Sequence, residues 1–261
     1  MPIRTVVWGE NVHEQSNETV AGLYPDGLHG AIAGALNADA GIEATTATLQ
    51  EPEHGLTEER LAATDVLIWW GHAAHGEVAD AVAEKVVANV WSGMGLIALH
   101  SAHFSKVFKR LMGTPCGLTW REAGERERIW VTNPAHPIAA GLPPCFELEN
   151  EEMYGEPFRV PEPLETVFFG WFQVGDESPS ALIWPRALRD VLYIQPGHET
   201  YPTYHDPNIR QVLRNAVRWA HRPQPRVAGV ADAPNRPVEA ALEPIEERGP
   251  KLHRKGEAGF R

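Results

Sequence analysis

The first hundred residues alternate between short apolar runs and segments with apolar side chains at helical spacing. The apolar runs at residues 3–8, 42–49, 66–70 and 96–99 predict four strands. Helical spacing is present in three intervening segments, at 26–41, 57–63 and 77–92. Repeated strand–helix units of this kind predict an α/β domain with a doubly wound, mostly parallel sheet.

The pattern changes in the second half of the chain, where short strand-like runs are joined by proline-rich connections. These runs lie at 127–132, 146–148, 166–172, 180–184 and 191–195. They predict an antiparallel extension together with the last strands of the main sheet. A final amphipathic helix begins at Asp206-Pro207, where the aspartate caps it and the proline occupies its first turn. We therefore expect one domain over residues 1–221, followed by a proline- and charge-rich tail over 222–261.

Charge and composition narrow the class of partner. The 261-residue chain carries a formal net charge of −12, which disfavours nucleic acid and anionic membranes as partners. No basic-then-apolar leader opens the sequence and no apolar run is long enough to span a membrane, so we expect a cytoplasmic protein. The two cysteines, Cys116 and Cys145, lack metal-type spacing and are expected to be free thiols.

Histidines and glutamates follow several of the predicted strands at the point where each strand ends. Carboxyl ends of parallel strands share one edge of the sheet, where ligands of open α/β proteins collect. Because His100 and His198 both follow such strands, we expect their side chains to lie within one hydrogen-bonded or metal-bridged span. The other histidines and carboxylates of these loops are Glu10, His13, Glu14, His72, His75, Glu77, His103 and Glu199.

Convergent imidazoles and a carboxylate permit two interpretations. His72, His100 and His198 match the ligand set of zinc or another borderline divalent ion. The same histidines equally fit a metal-free pocket wall that binds a substrate through hydrogen bonds. Spacing does not separate the two, because neither the 72/75 pair nor the 100/103 pair lies in a predicted helix.

An acidic run at residues 149–156 also has two interpretations. Such a run is most often a solvated face, but one carboxylate, with Glu152 the candidate, would serve as a base or ligand if it reached the cleft, with Tyr154 contacting substrate. The tryptophans, Trp70 among them, fit either the core or a stacking surface for sugar rings. Phosphate-binding glycine motifs are absent, so no nucleotide cofactor is expected.

Several motifs together resemble the ThuA-like (trehalose utilisation) family of the class I glutamine-amidotransferase-like superfamily. They are WWGHAAHGEV at 69–78, GMGLIALHSAHF at 93–104, FKRLMGT at 108–114, HPI at 136–138, EEMYGE at 151–156 and PGHETYPTYH at 196–205. The resemblance covers residues 3–221 and implies a flavodoxin-like sheet. It also implies that His100 occupies the position of the amidotransferase cysteine, so glutamine hydrolysis is not expected.

The resemblance implies a role in disaccharide catabolism, acting on a disaccharide or keto-sugar that a partner oxidoreductase supplies. Enolisation, isomerisation or elimination would need a base and an electrophile. We assign catalysis to His100 and His198, with Glu152 or Glu199 as base. Substrate contacts are assigned to His13, Trp70, His103, Tyr154 and Tyr201. A non-catalytic sugar-binding protein or a scaffold remains the alternative, and a homo-oligomer whose interface includes the tail is expected.

Overall fold

The computed structural model describes residues 1–223 as a single nine-stranded sheet flanked by helices. The strands are β1 (Ile3–Gly9), β2 (Ile42–Thr48), β3 (Val66–Trp70), β4 (Gly95–Leu99), β5 (Thr119–Val131), β6 (Cys145–Gly155), β7 (Glu165–Phe172), β8 (Glu177–Arg186) and β9 (Arg189–Ile194). The α-helices are α1 (His13–Ser16), α2 (Glu18–Leu23), α3 (Gly27–Asn37), α4 (Glu58–Ala63), α5 (Asp80–Trp91), α6 (Lys106–Met112) and α7 (Pro207–Ala220).

The sheet has a parallel half and an antiparallel half. Its strand order is β2-β1-β3-β4-β9-β8-β7-β5-β6. The first five strands in this order pair in parallel, whereas β8, β7, β5 and β6 continue the sheet by antiparallel pairing. The predicted doubly wound sheet with an antiparallel extension is therefore confirmed, although the extension supplies four of the nine strands.

Helices cover both faces of the parallel half, because its strands are apolar on both sides. In β3 all five residues are buried, with Ile68 and Trp70 in one core and Leu67 and Trp69 in the other. Helices α3 and α7 pack over the first core, and α5 and α6 over the second. Burial on both faces leaves only the strand ends free to carry polar chemistry.

The antiparallel strands are longer than the sequence pattern predicts. Strand β5 begins at Thr119 rather than 127, and β6 continues through the acidic run to Gly155. The prediction of a solvated face for this run is wrong for residues 151–155, all of which are buried. Their polar groups tolerate burial because partners from β9, the loop after it and the β4 loop contact them, a tertiary effect that local pattern does not contain.

The last helix, α7, begins as predicted, with the Asp206 side chain accepting hydrogen bonds from the backbone N–H groups of Asn208 and Ile209. Residues 224–261 lie outside the described residues, so the tail and its role in an oligomer stay predictions. Within residues 1–223, none of the helices combines the length and apolarity that crossing a membrane requires.

Candidate functional site

Four loops at the carboxyl edge of the parallel strands bring their polar side chains together. His13 follows β1, His72 follows β3, His100 follows β4, and the segment with His198 and Glu199 follows β9. The antiparallel half closes the group from the side, because β6 places Glu152 against His100. The convergence expected from parallel topology is therefore present, with one contributor from outside it.

His100 is held in a strained and fully buried position. It adopts a left-handed backbone conformation, with φ of 50°, directly after β4. Its Nδ1 lies 2.8 Å from the carbonyl oxygen of Gln195, and its ring stacks on Tyr154 with a centroid distance of 4.4 Å. A carbonyl accepts only an N–H, so Nδ1 carries a proton and Nε2 points the other way.

Glu152 lies between His100 and His198. Its Oε2 is 3.0 Å from His100 Nε2 and 3.9 Å from His198 Nε2. The two imidazole centroids are 5.5 Å apart, within the single span expected from the sequence. His198 Nδ1 is 2.8 Å from the Thr200 hydroxyl and 3.3 Å from the Thr200 backbone nitrogen. Because the Thr200 backbone N–H donates to Nδ1, this nitrogen is an acceptor, and the Thr200 hydroxyl can donate to it as well. The proton of the neutral ring therefore lies on Nε2, which faces Glu152.

The electrostatics of this trio are dominated by burial and mutual charge. Burial opposes the charged form of His100, but the adjacent carboxylates of Glu152 and Glu151 outweigh it and raise the pKa of His100. Burial and the charge of His100 lower the pKa of His198 to about 4, so this ring is neutral at pH 7. Burial opposes ionisation of Glu152, but His100 lowers its pKa below the usual value.

A second group forms around Glu199, whose side chain is almost completely buried. Its Oε1 accepts hydrogen bonds from His13 Nδ1 and, at 2.6 Å, from His72 Nδ1. Burial opposes the charge, but these two bonds hold the pKa of Glu199 far below its usual value. His72 is thus oriented by a carboxylate at one nitrogen, as in a catalytic triad, while Nε2 makes no hydrogen bond to a described residue.

The loop that carries His198 and Glu199 is held by Glu151, the buried neighbour of Glu152. The Glu151 carboxylate accepts backbone hydrogen bonds from Gly197 and His198, each at 3.0 Å, and a hydroxyl hydrogen bond from Thr203 at 2.7 Å. Glu10 holds the His72 loop in the same way, through the backbone N–H groups of Ala73 and Ala74. Sequence pattern places Glu10 after β1 and Glu151 in the acidic run, but it does not show which loop each carboxylate holds.

A small cleft opens beside these groups. Its lining consists of His72, Ser101, His103, Phe104, Leu118, Trp120, Glu122, Glu152 and Tyr154. Trp120 is 62% exposed at this cleft and was missed by sequence analysis, which predicted no strand between residues 99 and 127. Other cavities lie away from the histidines, for example around Arg128 and Trp171 on the antiparallel half.

Three of the residues predicted to contact the substrate lie at different positions relative to the cleft. Trp70 does not reach the cleft, because its ring is fully buried in the core and its indole N–H donates to the Gly197 carbonyl. His103 lines the cleft but is 1% exposed, and burial lowers its pKa to about 3 while Nδ1 contacts the Cys116 carbonyl. Tyr201 is half-buried beside His198, at a centroid distance of 5.3 Å.

The predicted metal ligands do not form one set. Among the described residues, two groups have ligand atoms within 4.8 Å of one another: His13, His72 and Glu199 in one, and His100, Glu152 and His198 in the other. His72 therefore separates from His100 and His198, because Glu199 holds its Nδ1. Glu152, rather than His72, lies with His100 and His198.

Comparison with known proteins identifies the class of this domain. The profile of the ThuA family, described as trehalose utilisation, matches residues 4–220. The chain belongs to the ThuA family, as the sequence motifs indicated. A search of curated proteins returned no match.

Solved structures with similar folds support the same assignment. A ThuA-like protein from Parabacteroides merdae ATCC 43184 superposes with a TM-score of 0.64 at 13% identity, covering 84% of this chain and 90% of that chain. The cytoplasmic protein STM3548 from Salmonella typhimurium gives 0.57 at 11% identity, covering 84% and 99%. PurLQS from Thermotoga maritima gives 0.53 at 10% identity, covering 84% and 99%. At these identities the similarity concerns the fold, and it confirms the predicted amidotransferase-like architecture.

Proposed function

We propose that this protein is a cytoplasmic enzyme of carbohydrate catabolism that removes a proton next to the carbonyl group of a neutral keto-sugar. Membership of the trehalose-utilisation family supports the substrate class. The observation that carries the proposal is the contact between His72 Nδ1 and the buried Glu199 carboxylate, at the cleft and beside the His100–Glu152–His198 group.

In this proposal His72 is the general base. Its Nε2 takes the proton from the carbon next to the ketone, and the electron pair moves into a carbon–carbon double bond as charge develops on the oxygen. Glu199 holds the ring orientation and stabilises the imidazolium that forms. The adjacent His100–Glu152–His198 group stabilises the charge that develops on the substrate oxygen.

The cleft favours a neutral sugar over a phosphorylated one. Among its lining residues in the described part of the chain there is no lysine or arginine, whereas Glu122 and Glu152 are both present. A dianion placed there would meet like charge without a basic partner. Trp120, exposed at the same cleft, offers an aromatic face of the kind on which sugar rings stack.

The ketone itself must come from another enzyme. The sequence lacks the glycine-rich phosphate-binding motifs on which we base the expectation of no nucleotide cofactor, and the proposed proton transfer neither oxidises nor reduces the sugar. The reaction upstream is therefore an oxidation of a sugar hydroxyl by a partner oxidoreductase. Isomerisation and elimination of the glycosidic oxygen both begin with the enolisation proposed here.

Deuterium exchange tests the proposal directly. Oxidised trehalose carrying a ring ketone, incubated in D₂O with the full chain, should exchange the hydrogen next to the ketone, as followed by NMR. His72→Gln and Glu199→Gln should each slow exchange by about 100-fold or more. Glu149→Gln, on the exposed part of β6, is the matched control and should exchange at the wild-type rate.

A thermal-shift screen separates the remaining outcomes. Stabilisation by trehalose or its keto form without any exchange would replace the enzyme by a sugar-binding protein. Stabilisation by sugar phosphates alone would contradict the proposed substrate class. Exchange that survives both His72→Gln and Glu199→Gln would remove this pair from catalysis.

A further inference from the structure

Two buried atoms in the His100–Glu152–His198 group face each other without forming a hydrogen bond. His100 Nε2 and Glu152 Oε2 are 3.0 Å apart, yet neither has a hydrogen-bond partner among the described residues, because the pair misses the required direction. Both side chains are at least nine-tenths inaccessible, so water does not solvate them. At this distance a positive charge must lie between the two atoms, either the proton of a charged His100 ring or a metal ion that replaces that proton.

Further donor atoms point at the same place. His198 Nε2 lies within 4.8 Å of both atoms, and Glu199 Oε2, also buried and without a partner, lies 3.9 Å from His198 Nε2. The group therefore offers two imidazole nitrogens and two carboxylate oxygens. A single shared proton would satisfy only one pair of these atoms.

We propose that His100 Nε2, His198 Nε2 and Glu152 Oε2 bind one divalent transition-metal ion, with zinc the first candidate, and that Glu199 Oε2 lies beside its open position. Two histidines and one glutamate with a free coordination position are a ligand set of catalytic zinc. The same set with open positions also binds ferrous iron.

The distances fit such an ion. Bonds of about 2.0–2.1 Å place two ligands about 2.9 Å apart at a right angle and about 3.4 Å apart at the tetrahedral angle. The contacts of Glu152 Oε2, at 3.0 Å and 3.9 Å, fall on either side of the tetrahedral value. The Nδ1 contact of His100 to the Gln195 carbonyl is the second-layer hydrogen bond that a metal-binding histidine makes. A metal ion at His198 Nε2 would require the ring proton to move to Nδ1, where the Thr200 hydroxyl, 2.8 Å away, can accept it in place of the contact with the Thr200 N–H.

The neighbouring His13–His72–Glu199 group does not fit as well. His72 Nδ1 lies only 2.6 Å from Glu199 Oε1, which is shorter than two ligands of one ion normally approach and is typical of an N–H···O hydrogen bond. Glu199 thus divides its oxygens, with Oε1 fixing His13 and His72 and Oε2 facing the proposed ion. The ion would serve as the electrophile at the substrate oxygen, a role that rests on the proposed function.

Metal analysis of the full chain, purified without an affinity tag and stripped with a chelator, provides the test. Titration with zinc should show one bound equivalent by elemental analysis after dialysis. Glu152→Gln and His198→Gln should each weaken zinc affinity by more than about 10-fold. His75→Asn, in the loop after β3 and outside the group, is the matched control, and His72→Gln should keep one equivalent because His72 is not a ligand.

If the variants unfold, X-ray absorption spectroscopy of the zinc-loaded wild type still tests the inference. The spectrum should show zinc bound by two imidazole nitrogens together with oxygen ligands. Absence of stoichiometric zinc at micromolar concentration would overturn the inference, as would unchanged affinity in folded Glu152→Gln and His198→Gln. Deuterium exchange in zinc-free protein would overturn the metal's role and keep the proposed function. Bound zinc without deuterium exchange would keep the metal site and contradict the proposed function.

Discussion

The clearest quantitative consequence of the structure concerns Glu151, which holds the site without belonging to its chemistry. Its Oε1 accepts the backbone N–H groups of Glu152 and His198, and its Oε2 accepts the N–H of Gly197 and the hydroxyl of Thr203. The carboxylate is fully buried. All four donors would lose an acceptor if the side chain were removed.

Glu151→Gln changes one oxygen into an NH₂ group and leaves the shape intact. If NH₂ replaces Oε2, the Thr203 hydroxyl can turn and accept, so one backbone hydrogen bond is lost. A hydrogen bond to a charged group contributes about 1.5–3 kcal/mol, and the surviving bonds weaken as the charge disappears. We therefore expect the free energy of unfolding to fall by about 2–4 kcal/mol.

Urea denaturation of Glu151→Gln and of Glu149→Gln measures this difference. Glu149 lies two residues away on the same strand, but its side chain is 78% exposed, so the same substitution should change stability by less than about 0.5 kcal/mol. If the two variants were equally stable, the four contacts would not be those of an ionised acceptor. The view of Glu151 as the residue that positions His198 and Glu199 would then be wrong.

Three further predictions follow from other parts of the chain. Burial lowers the pKa of His75 to about 4 and that of His103 to about 3, so the unfolded state binds protons at a higher pH than the folded state. The contribution of these two histidines to stability is therefore complete above pH 6.5 and decreases as the pH falls towards 4. Urea titrations should show a smaller decrease in His103→Gln, and an equal dependence on pH in the variant would contradict this prediction. Gly197→Ala should lower the free energy of unfolding, measured with urea, by about 3 kcal/mol or more, because φ is +144° and the added Cβ would lie 2.1 Å from the Tyr204 hydroxyl. Gly22→Ala, with open space around it, should not destabilise the protein, and similar stabilities of the two variants would refute this prediction. Trp120→Ala should weaken sugar binding, measured by calorimetry, and leave the melting temperature unchanged. Trp171→Ala, at an exposed tryptophan distant from the cleft, should change neither sugar binding nor the melting temperature, and equal effects of the two variants on binding would exclude stacking at Trp120.

Much of the parallel half could be predicted from the sequence because its signals are local. The apolar runs of β1, β3 and β4 are buried on both faces, and the helical spacing between them is regular. Parallel topology then requires the loops that follow these strands to share one edge. Sequence and topology alone therefore predict that His72, His100 and His198 lie near one another.

The antiparallel half was harder because its placement depends on tertiary contacts. The start of β5 is charged and lacks regular alternation, so local pattern gives no strand there. Its partner β6 contains an acidic run whose sequence is typical of a solvated face. In the fold, however, Glu151 and Glu152 are buried because residues distant in sequence contact their carboxylates. Four cleft residues, Trp120, Glu122, Glu152 and Tyr154, lie on these strands. The two on β6 could be named from the acidic run, whereas Trp120 and Glu122 on β5 could not, because the local pattern predicts no strand there.

The role of each histidine depends on what its Nδ1 contacts, and those partners are distant in sequence. A backbone carbonyl fixes His100 from 95 positions away, and a carboxylate fixes His72 from 127 positions away. The first arrangement turns Nε2 towards the Glu152 carboxylate, which favours a positive charge between the two atoms. The second leaves Nε2 free beside a negative charge, which favours a base. One residue type at one sheet edge can therefore supply both halves of an enolisation, an electrophile and a proton acceptor, and only the second layer of contacts distinguishes them.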